Sequence, residues 1–494
     1  MTTAVGEPLW TFDELTAATG AAADGARIAG VTGISIDTRT LRPGELFVAL
    51  KDQRDGHDFV EAAFGKGAAA ALVEQGYERR PGDGLLMRVA DPLAALVELG
   101  CAARARLAPE ARVFAVTGSA GKTTTKEMLR AVCARLGPTH ASEKSYNNHW
   151  GVPLTLARMP ATTRFAIFEI GMNHPGEITP LTRMVRPHVA IVTTVVSAHL
   201  EHFGTEEAIA DAKAEIFLGL GADGTAVVNY DNRHFARLAA AASAVPGVRV
   251  VPFSGIVPED DLTVDPRRAG LGIVQLRRAH EIDGQTLVEA HGRSYVLGAA
   301  GAHMVANSVA VLAALRSALG PSNPDVAQGL AALASFAVPE GRGSRVTISV
   351  PGGEALLVDE SYNANPASMR AALEALAGIS RAQHPRRIAV LGEMLELGAE
   401  ARRLHEGLKD AIDAAGIDLV FATGPTMRHL FDTLPTERRG AWAETAAAIR
   451  DAVVAAVRAG DVVMVKGSNG SRTWELVAAL KAASKANEGA RAPR

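Results

Sequence analysis

Past residue 109 the chain falls into a regular rhythm of short apolar runs alternating with longer amphipathic or alanine-rich stretches. Apolar runs at residues 113–116, 165–170, 189–196 and 226–229 are short, bounded by turn residues and apolar at nearly every position. That pattern suits strands covered on both faces, as in a parallel sheet. Residues 122–136 and 303–319 carry helical spacing, and Gly320-Pro321-Ser322-Asn323-Pro324 stops the second of these. A weaker break follows at Pro339-Glu340-Gly341, after which the rhythm restarts with strands expected at 355–358, 388–391, 419–422 and 462–465 and a helix at 444–459. Before residue 109 the pattern is more mixed, with a strand expected at 45–50 and a helix at 93–107.

These elements predict an α/β protein of three domains: a small N-terminal α/β domain (1–108), a central doubly wound domain (109–336) and a C-terminal Rossmann-like α/β domain (337–482). Residues 483–494, small, polar and charged, are expected to form a disordered tail.

A length of 494 residues requires more than one core, and 48% apolar with 21% charged residues is a globular composition. The 51 basic and 54 acidic residues nearly cancel, which argues against a nucleic-acid or anionic-membrane partner. The only cysteines, Cys101 and Cys133, lie in apolar helical stretches without metal-ligand spacing, as expected in a reducing cytoplasm. The N-terminus lacks a signal-peptide pattern, and no window is expected to approach the eighteen or so apolar residues needed to span a bilayer.

Between the first central strand and its helix lies Thr117-Gly118-Ser119-Ala120-Gly121-Lys122-Thr123-Thr124. A glycine turn at a helix N-terminus presents backbone N–H groups to an anion, a following lysine neutralises phosphate charge, and the next hydroxyl suits Mg²⁺. The loop departs from the usual phosphate-loop spacing in having Val116 where a first glycine is customary. Glu169 interrupts an apolar strand, where a buried carboxylate is costly unless paired or bound to a cation; acceptance of local backbone hydrogen bonds is the plainer alternative. His199, after the next strand, offers a second metal ligand or a structural imidazole. The segment Asn147-Asn148-His149-Trp150 is polar and aromatic together, either an ordinary loop or a ligand-contacting one.

Taken in order, residues 117–125, the Asn147-Asn148 loop, Phe168-Glu169-Ile170-Gly171, Ala198-His199-Leu200-Glu201 and Ala212-Lys213-Ala214-Glu215-Ile216 resemble the Mur ligase family over nearly the whole chain. Two C-terminal strings, residues 358–366 and 391–398, resemble the family member that completes the peptide stem of the bacterial cell-wall precursor. The resemblance implies an ATP- and Mg²⁺-dependent ligase that joins D-alanyl-D-alanine to UDP-N-acetylmuramoyl-tripeptide in the cytoplasm, with a monomer expected. It implies catalytic roles for Lys122, Glu169, His199 and Lys213, with Thr123, Glu169, His199 and a carbamylated Lys213 about the metals. Residues 117–124, Asn147, Asn307, Arg342 and Asp359 would contact nucleotide. Ser35, Asp37, Thr38, Arg39 and His57 would bind the UDP-sugar part, and Tyr362, Asn363 and Asn365 the rest of the substrate. Around Lys51-Asp52-Gln53-Arg54-Asp55 the chain departs from the family pattern, with Asp52 where glycine is expected.

The chemistry such an enzyme needs is activation of a carboxylate as an acyl phosphate, followed by amine attack, with no protein nucleophile. The neighbouring ligase that adds the third, diamino acid, a phosphate-loop ATPase without ligase activity and a non-enzymatic nucleotide-binding protein are the alternatives.

Overall fold

The strand Arg112–Thr117 lies inside a nine-stranded sheet, between Phe165–Glu169 on one side and Val189–Val192 on the other. The computed structural model describes residues 7–143, 145–197, 200–257, 272–282 and 284–491. His199 lies outside the described residues.

Burial on both faces explains the unbroken apolar run. In Arg112–Thr117, Val113 and Ala115 enter one core while Phe114 and Val116 enter the other. The first core includes residues of the helices Pro92–Ala105, Gly151–Ala157 and Ile178–Val185, and the second residues of Lys122–Ala134 and Ala302–Leu319. Pairing is parallel from Thr139–Ala141 at one edge through to the start of Val274–Ile282. There the sheet turns antiparallel through Gln285–Ala290 and Arg293–Leu297. This ribbon has no counterpart in the sequence expectations. Its alternation is short and one face is open to water, so no long apolar run announces it.

The run expected to continue as strand to residue 196 ends at Val192. Beyond it, asparagine side chains take over the backbone: Asn229 Nδ2 donates to Thr193 O at 2.9 Å and Asn232 Nδ2 to Val195 O at 2.7 Å. The segment 193–197 thus becomes a braced loop flanking the glycine turn.

Ala302–Leu319 corrects one expectation, because it is a helix long and apolar enough to cross a membrane by length and composition. It is instead 56% buried within the protein and fills the core below the nucleotide-loop helix.

A six-stranded sheet forms the C-terminal part, in the order Ser344–Val350, Gly353–Glu360, Asp461–Lys466, Arg386–Gly392, Leu419–Thr423, Arg439–Ala443. All pairs are parallel except the first. Ala389 and Leu391 face one helical layer and Ile388 and Val390 the other, so this sheet too is covered on both sides. Of the tail expected to be disordered, residues 483–491 belong to the helix Trp474–Arg491, and the remainder lies outside the described residues. Ser484 Oγ accepts from Ser349 N at 2.8 Å and Asn487 Nδ2 donates to Ser349 O at 3.0 Å. Edge-strand backbone groups thereby give the polar tail its partners.

A five-stranded sheet near the N-terminus runs Ala22–Asp24, Leu85–Val89, Ala70–Glu74, Leu46–Val48, Ile34–Ser35. It is tied to the central part by Trp10 Nε1, which donates to Ala157 O at 2.7 Å, and by Arg158 Nε, which donates to Ile34 O at 2.7 Å. Arg106 stacks over the Trp10 ring at 3.6 Å.

Candidate active site

The glycine turn emerges where neighbouring strands connect in opposite directions, which opens a crevice at the C-terminal edge of a parallel sheet. Its shape is held from the Val189–Val192 side. Ser119 N donates to Thr194 O at 2.8 Å, Ser119 Oγ to Val196 O at 3.0 Å, and Thr193 Oγ1 to Ala120 O at 2.5 Å. Gly121 has φ 81°, and a Cβ on it would come within 2.7 Å of Asn307 Oδ1. Glycine is therefore required there twice over. The helix Lys122–Ala134 has no side-chain cap, which leaves first-turn N–H groups for an anion.

Thr123 Oγ1 donates to Glu169 Oε2 at 2.7 Å, and Asn147 Nδ2 donates to Glu169 Oε1 at 2.8 Å. Both oxygens of a carboxylate only 1% exposed are thus oriented, one by the first turn of the nucleotide-loop helix and the other by a separate loop. Asn147 is itself fixed, since its carbonyl accepts from Gly171 N at 2.8 Å. Hard oxygen donors of this kind, a hydroxyl beside a carboxylate, fit Mg²⁺.

Lys122 Nζ donates to Gly118 O at 2.8 Å. Burial pushes its pKa below the usual lysine value, while Glu169 pulls the other way and Arg342 adds to the lowering. Lys213, in the helix Glu206–Ala214, is only 2% exposed and has no hydrogen-bond or ion-pair partner among the described residues. Burial, aided by the charge of Lys122, holds its amine well below the ordinary lysine pKa.

The C-terminal part closes the crevice into a cavity of about 550 Å³. Arg342 Nη2 and the Tyr362 hydroxyl both donate to Ser145 Oγ, at 3.4 and 2.6 Å, and Arg342 stacks on the Tyr362 ring at 4.0 Å. Asn365 caps the helix Pro366–Ala377 by accepting from Ser368 N at 2.8 Å, and its Nδ2 approaches Ser119 O at 3.4 Å. Asn363, Thr124 and Asn307 also line the cavity.

Asp359, expected to contact nucleotide, is not among the residues that line this cavity. Its carboxylate is turned inward, accepting from Gly341 N at 3.1 Å, Ser361 N at 3.1 Å and Ser361 Oγ at 2.6 Å. It braces the turn that carries Arg342. Glu360, the next residue on the strand and so on its opposite face, lines the cavity together with Lys466. Lys466 Nζ donates to Glu360 Oε2 at 3.2 Å and to Asn363 O at 3.0 Å. Glu360, Lys466 and Ser145 were not among the expected residues. The signal that marks Glu169, a charge at the end of an apolar strand, also marks Glu360 and Lys466.

Ser35, Asp37, Thr38, Arg39 and His57 lie apart from this cavity, in the N-terminal part. Ser35 Oγ donates to Asp37 O at 3.0 Å, Arg39 pairs with Asp37 at 2.7 Å, and Thr38 O accepts from Lys66 at 2.8 Å. His57, expected to bind the UDP-sugar part, has both ring nitrogens engaged within the protein. Its Nδ1 pairs with Asp55 Oδ1 at 2.6 Å and its Nε2 accepts from Glu74 N at 3.0 Å, so both ring nitrogens hold the fold together.

Residues 116–315 match the Mur ligase middle domain and residues 342–469 the Mur ligase glutamate ligase domain. The UDP-N-acetylmuramoyl-tripeptide--D-alanyl-D-alanine ligase of Escherichia coli is 36% identical over 91% of this chain and 93% of its own length. The enzyme of that name from Mycobacterium tuberculosis strain H37Rv is 34% identical over 92% of each chain. Among solved structures, MurF from Acinetobacter baumannii superposes with a TM-score of 0.78 at 28% identity, over 96% of this chain and 99% of that one. MurF from Thermotoga maritima in complex with ADP shares the fold at a TM-score of 0.73 and 24% identity, over 92% of this chain and 98% of that one. With its sequence and its fold both aligned along almost their full length, the chain belongs to the Mur ligase family.

Proposed function

We propose that this enzyme joins D-alanyl-D-alanine to UDP-N-acetylmuramoyl-tripeptide at the expense of ATP, through an acyl phosphate, to give the pentapeptide precursor of peptidoglycan. The observation that carries the reading is the Glu169 carboxylate, held from both sides by Thr123 and Asn147 beside a half-buried Lys122. The names of the relatives, which span nine-tenths of this chain, supply the substrates.

Thr123 and Glu169 would hold Mg²⁺, which supplies charge neutralisation between phosphate and the attacking carboxylate. The backbone N–H groups of residues 120–122 bind phosphate oxygens, and Lys122 neutralises charge on the transferred group. A tripeptide carboxylate oxygen attacks the γ-phosphorus, and the bond to the bridging oxygen breaks to release ADP. The dipeptide amine then adds to the acyl carbon, loses a proton, and expels phosphate carrying the original carboxylate oxygen. Arg342, Tyr362 and Asn365 keep the cavity closed while the water-sensitive acyl phosphate exists.

His199 and Lys213 are the candidates for a second metal position. The buried Lys213 amine, its pKa held well below the ordinary lysine value, is suited to add carbon dioxide, forming an N–C bond and releasing a proton, and the resulting carbamate would set negative charge near Lys122. Residues 1–108, 109–336 and 337–482 are taken as the UDP-sugar, ATP and closing parts of a monomer. Use of nucleotide-linked substrates and ATP supports a cytoplasmic activity. Tripeptide labelled with ¹⁸O in the reacting carboxylate tests the route: one label per turnover should appear in phosphate. Label retained wholly in the peptide product or recovered in ADP would overturn it.

A further inference from the structure

Ser145 is the point where the C-terminal part touches the loop that holds the Glu169 carboxylate. Its Oγ accepts from two groups far along the chain, the Tyr362 hydroxyl at 2.6 Å and Arg342 Nη2 at 3.4 Å. Those two donors are stacked on one another at 4.0 Å, so they arrive as a unit. No acceptor among the described residues engages the Ser145 hydroxyl hydrogen, and the residue lines the cavity. Two residues on, Asn147 donates to Glu169 Oε1 at 2.8 Å.

The segment between is stiff enough to transmit a displacement. Tyr146 packs edge-on against Trp150 with ring centroids 5.5 Å apart, and Asn148 Oδ1 accepts from Gly151 N at 3.0 Å. Gly151 lies so close that a Cβ there would be 2.7 Å from the Tyr146 carbonyl carbon. Ser145 therefore cannot shift freely without moving the residue that orients Glu169.

We propose that Ser145 is a positioning residue that makes correct orientation of Glu169 conditional on docking of the Arg342–Tyr362 pair, with its free hydroxyl hydrogen directed to a phosphate oxygen in the cavity. The proposal rests on the ligase reading for the identity of that phosphate. It gives the enzyme a means of withholding phosphoryl transfer until the two halves have closed.

The test is a double-substitution cycle. Ser145→Ala and Tyr362→Phe should each lower kcat about tenfold or more, while KM for ATP changes less than about threefold and the melting temperature is unchanged, because both break the Ser145–Tyr362 hydrogen bond. The double variant should be no slower than Ser145→Ala alone, and Ser145→Thr should recover most of the rate. Multiplying losses of about a hundredfold, or Ser145→Ala with wild-type kcat, would overturn the proposal.

Hydrogen exchange separates this outcome from failure of the ligase reading. Addition of the non-hydrolysable analogue AMP-PNP with Mg²⁺ should protect backbone amides of residues 360–365 in the wild type, and the protection should be lost in Ser145→Ala. Equal protection in both overturns the proposal whatever reaction the enzyme performs. Absence of dipeptide-dependent phosphate release from the wild type would instead count against the ligase reading.

Discussion

Thr123 Oγ1 and Glu169 Oε2 are 2.7 Å apart although 46 residues separate them in sequence, and the contact joins the first turn of the nucleotide-loop helix to the end of the adjacent strand. Replacing Glu169 by Gln preserves its volume but removes the charge that a metal would need. Glu169→Gln is expected to lower kcat by about 10²–10³-fold in steady-state phosphate release, while Thr123→Ala, which leaves the carboxylate in place, is expected to cost less.

At Gly121 two constraints coincide, the φ of 81° and the Asn307 side chain 2.7 Å from where a Cβ would lie. Gly121→Ala should weaken ATP binding at least tenfold by calorimetry, since a non-glycine residue in the left-handed region costs about 1–2 kcal/mol before the clash is counted. Adding Asn307→Ala removes the clash but not the backbone cost. The double variant should therefore regain only part of the folding stability lost by Gly121→Ala.

Lys213 makes stability depend on pH in a defined direction. Its folded-state pKa lies well below 10.5, so across the interval beneath that value the unfolded chain binds a proton that the folded protein does not. Stability must then rise with pH toward 10.5 and fall as pH drops. In carbon-dioxide-free buffer, Lys213→Met should melt at a higher temperature than the wild type at neutral pH, with the gap narrowing as pH increases. A gap that is constant with pH would show that the amine is already charged in the fold.

Adjacent residues on one strand should respond in opposite ways. Asp359→Asn disturbs the acceptor of three hydrogen bonds and should cost about 1–3 kcal/mol of stability, read by denaturant unfolding. Glu360→Gln, which keeps an acceptor for the buried Lys466, should raise KM for ATP more than Asp359→Asn does, because Glu360 faces the cavity.

The layered α/β organisation was legible because strands buried on both faces leave unbroken apolar runs, as in Arg112–Thr117 and Asp461–Lys466. The antiparallel ribbon from Val274 to Leu297 was not, since its strands are half exposed and their period-two signal is short. The glycine turn, Glu169 and Asn147 could be read from local chemistry: glycine where φ is positive, a carboxylate in an apolar strand, amides in a loop. Ser145 could not, because its partners lie about two hundred residues away and a lone serine carries no pattern. Asp359 and Glu360 show the finer limit. A strand end tells which two charges adjoin the site, but only the register of the pleat tells which one faces it.

The most direct test of the central claim is phosphate release by the purified enzyme supplied with ATP, Mg²⁺ and UDP-N-acetylmuramoyl-tripeptide. Release is predicted to stay near background until D-alanyl-D-alanine is added, and then to match formation of the pentapeptide product one for one. Release that is equally fast without the dipeptide, or that instead requires a single diamino acid and the dipeptide-stage precursor, would contradict the account.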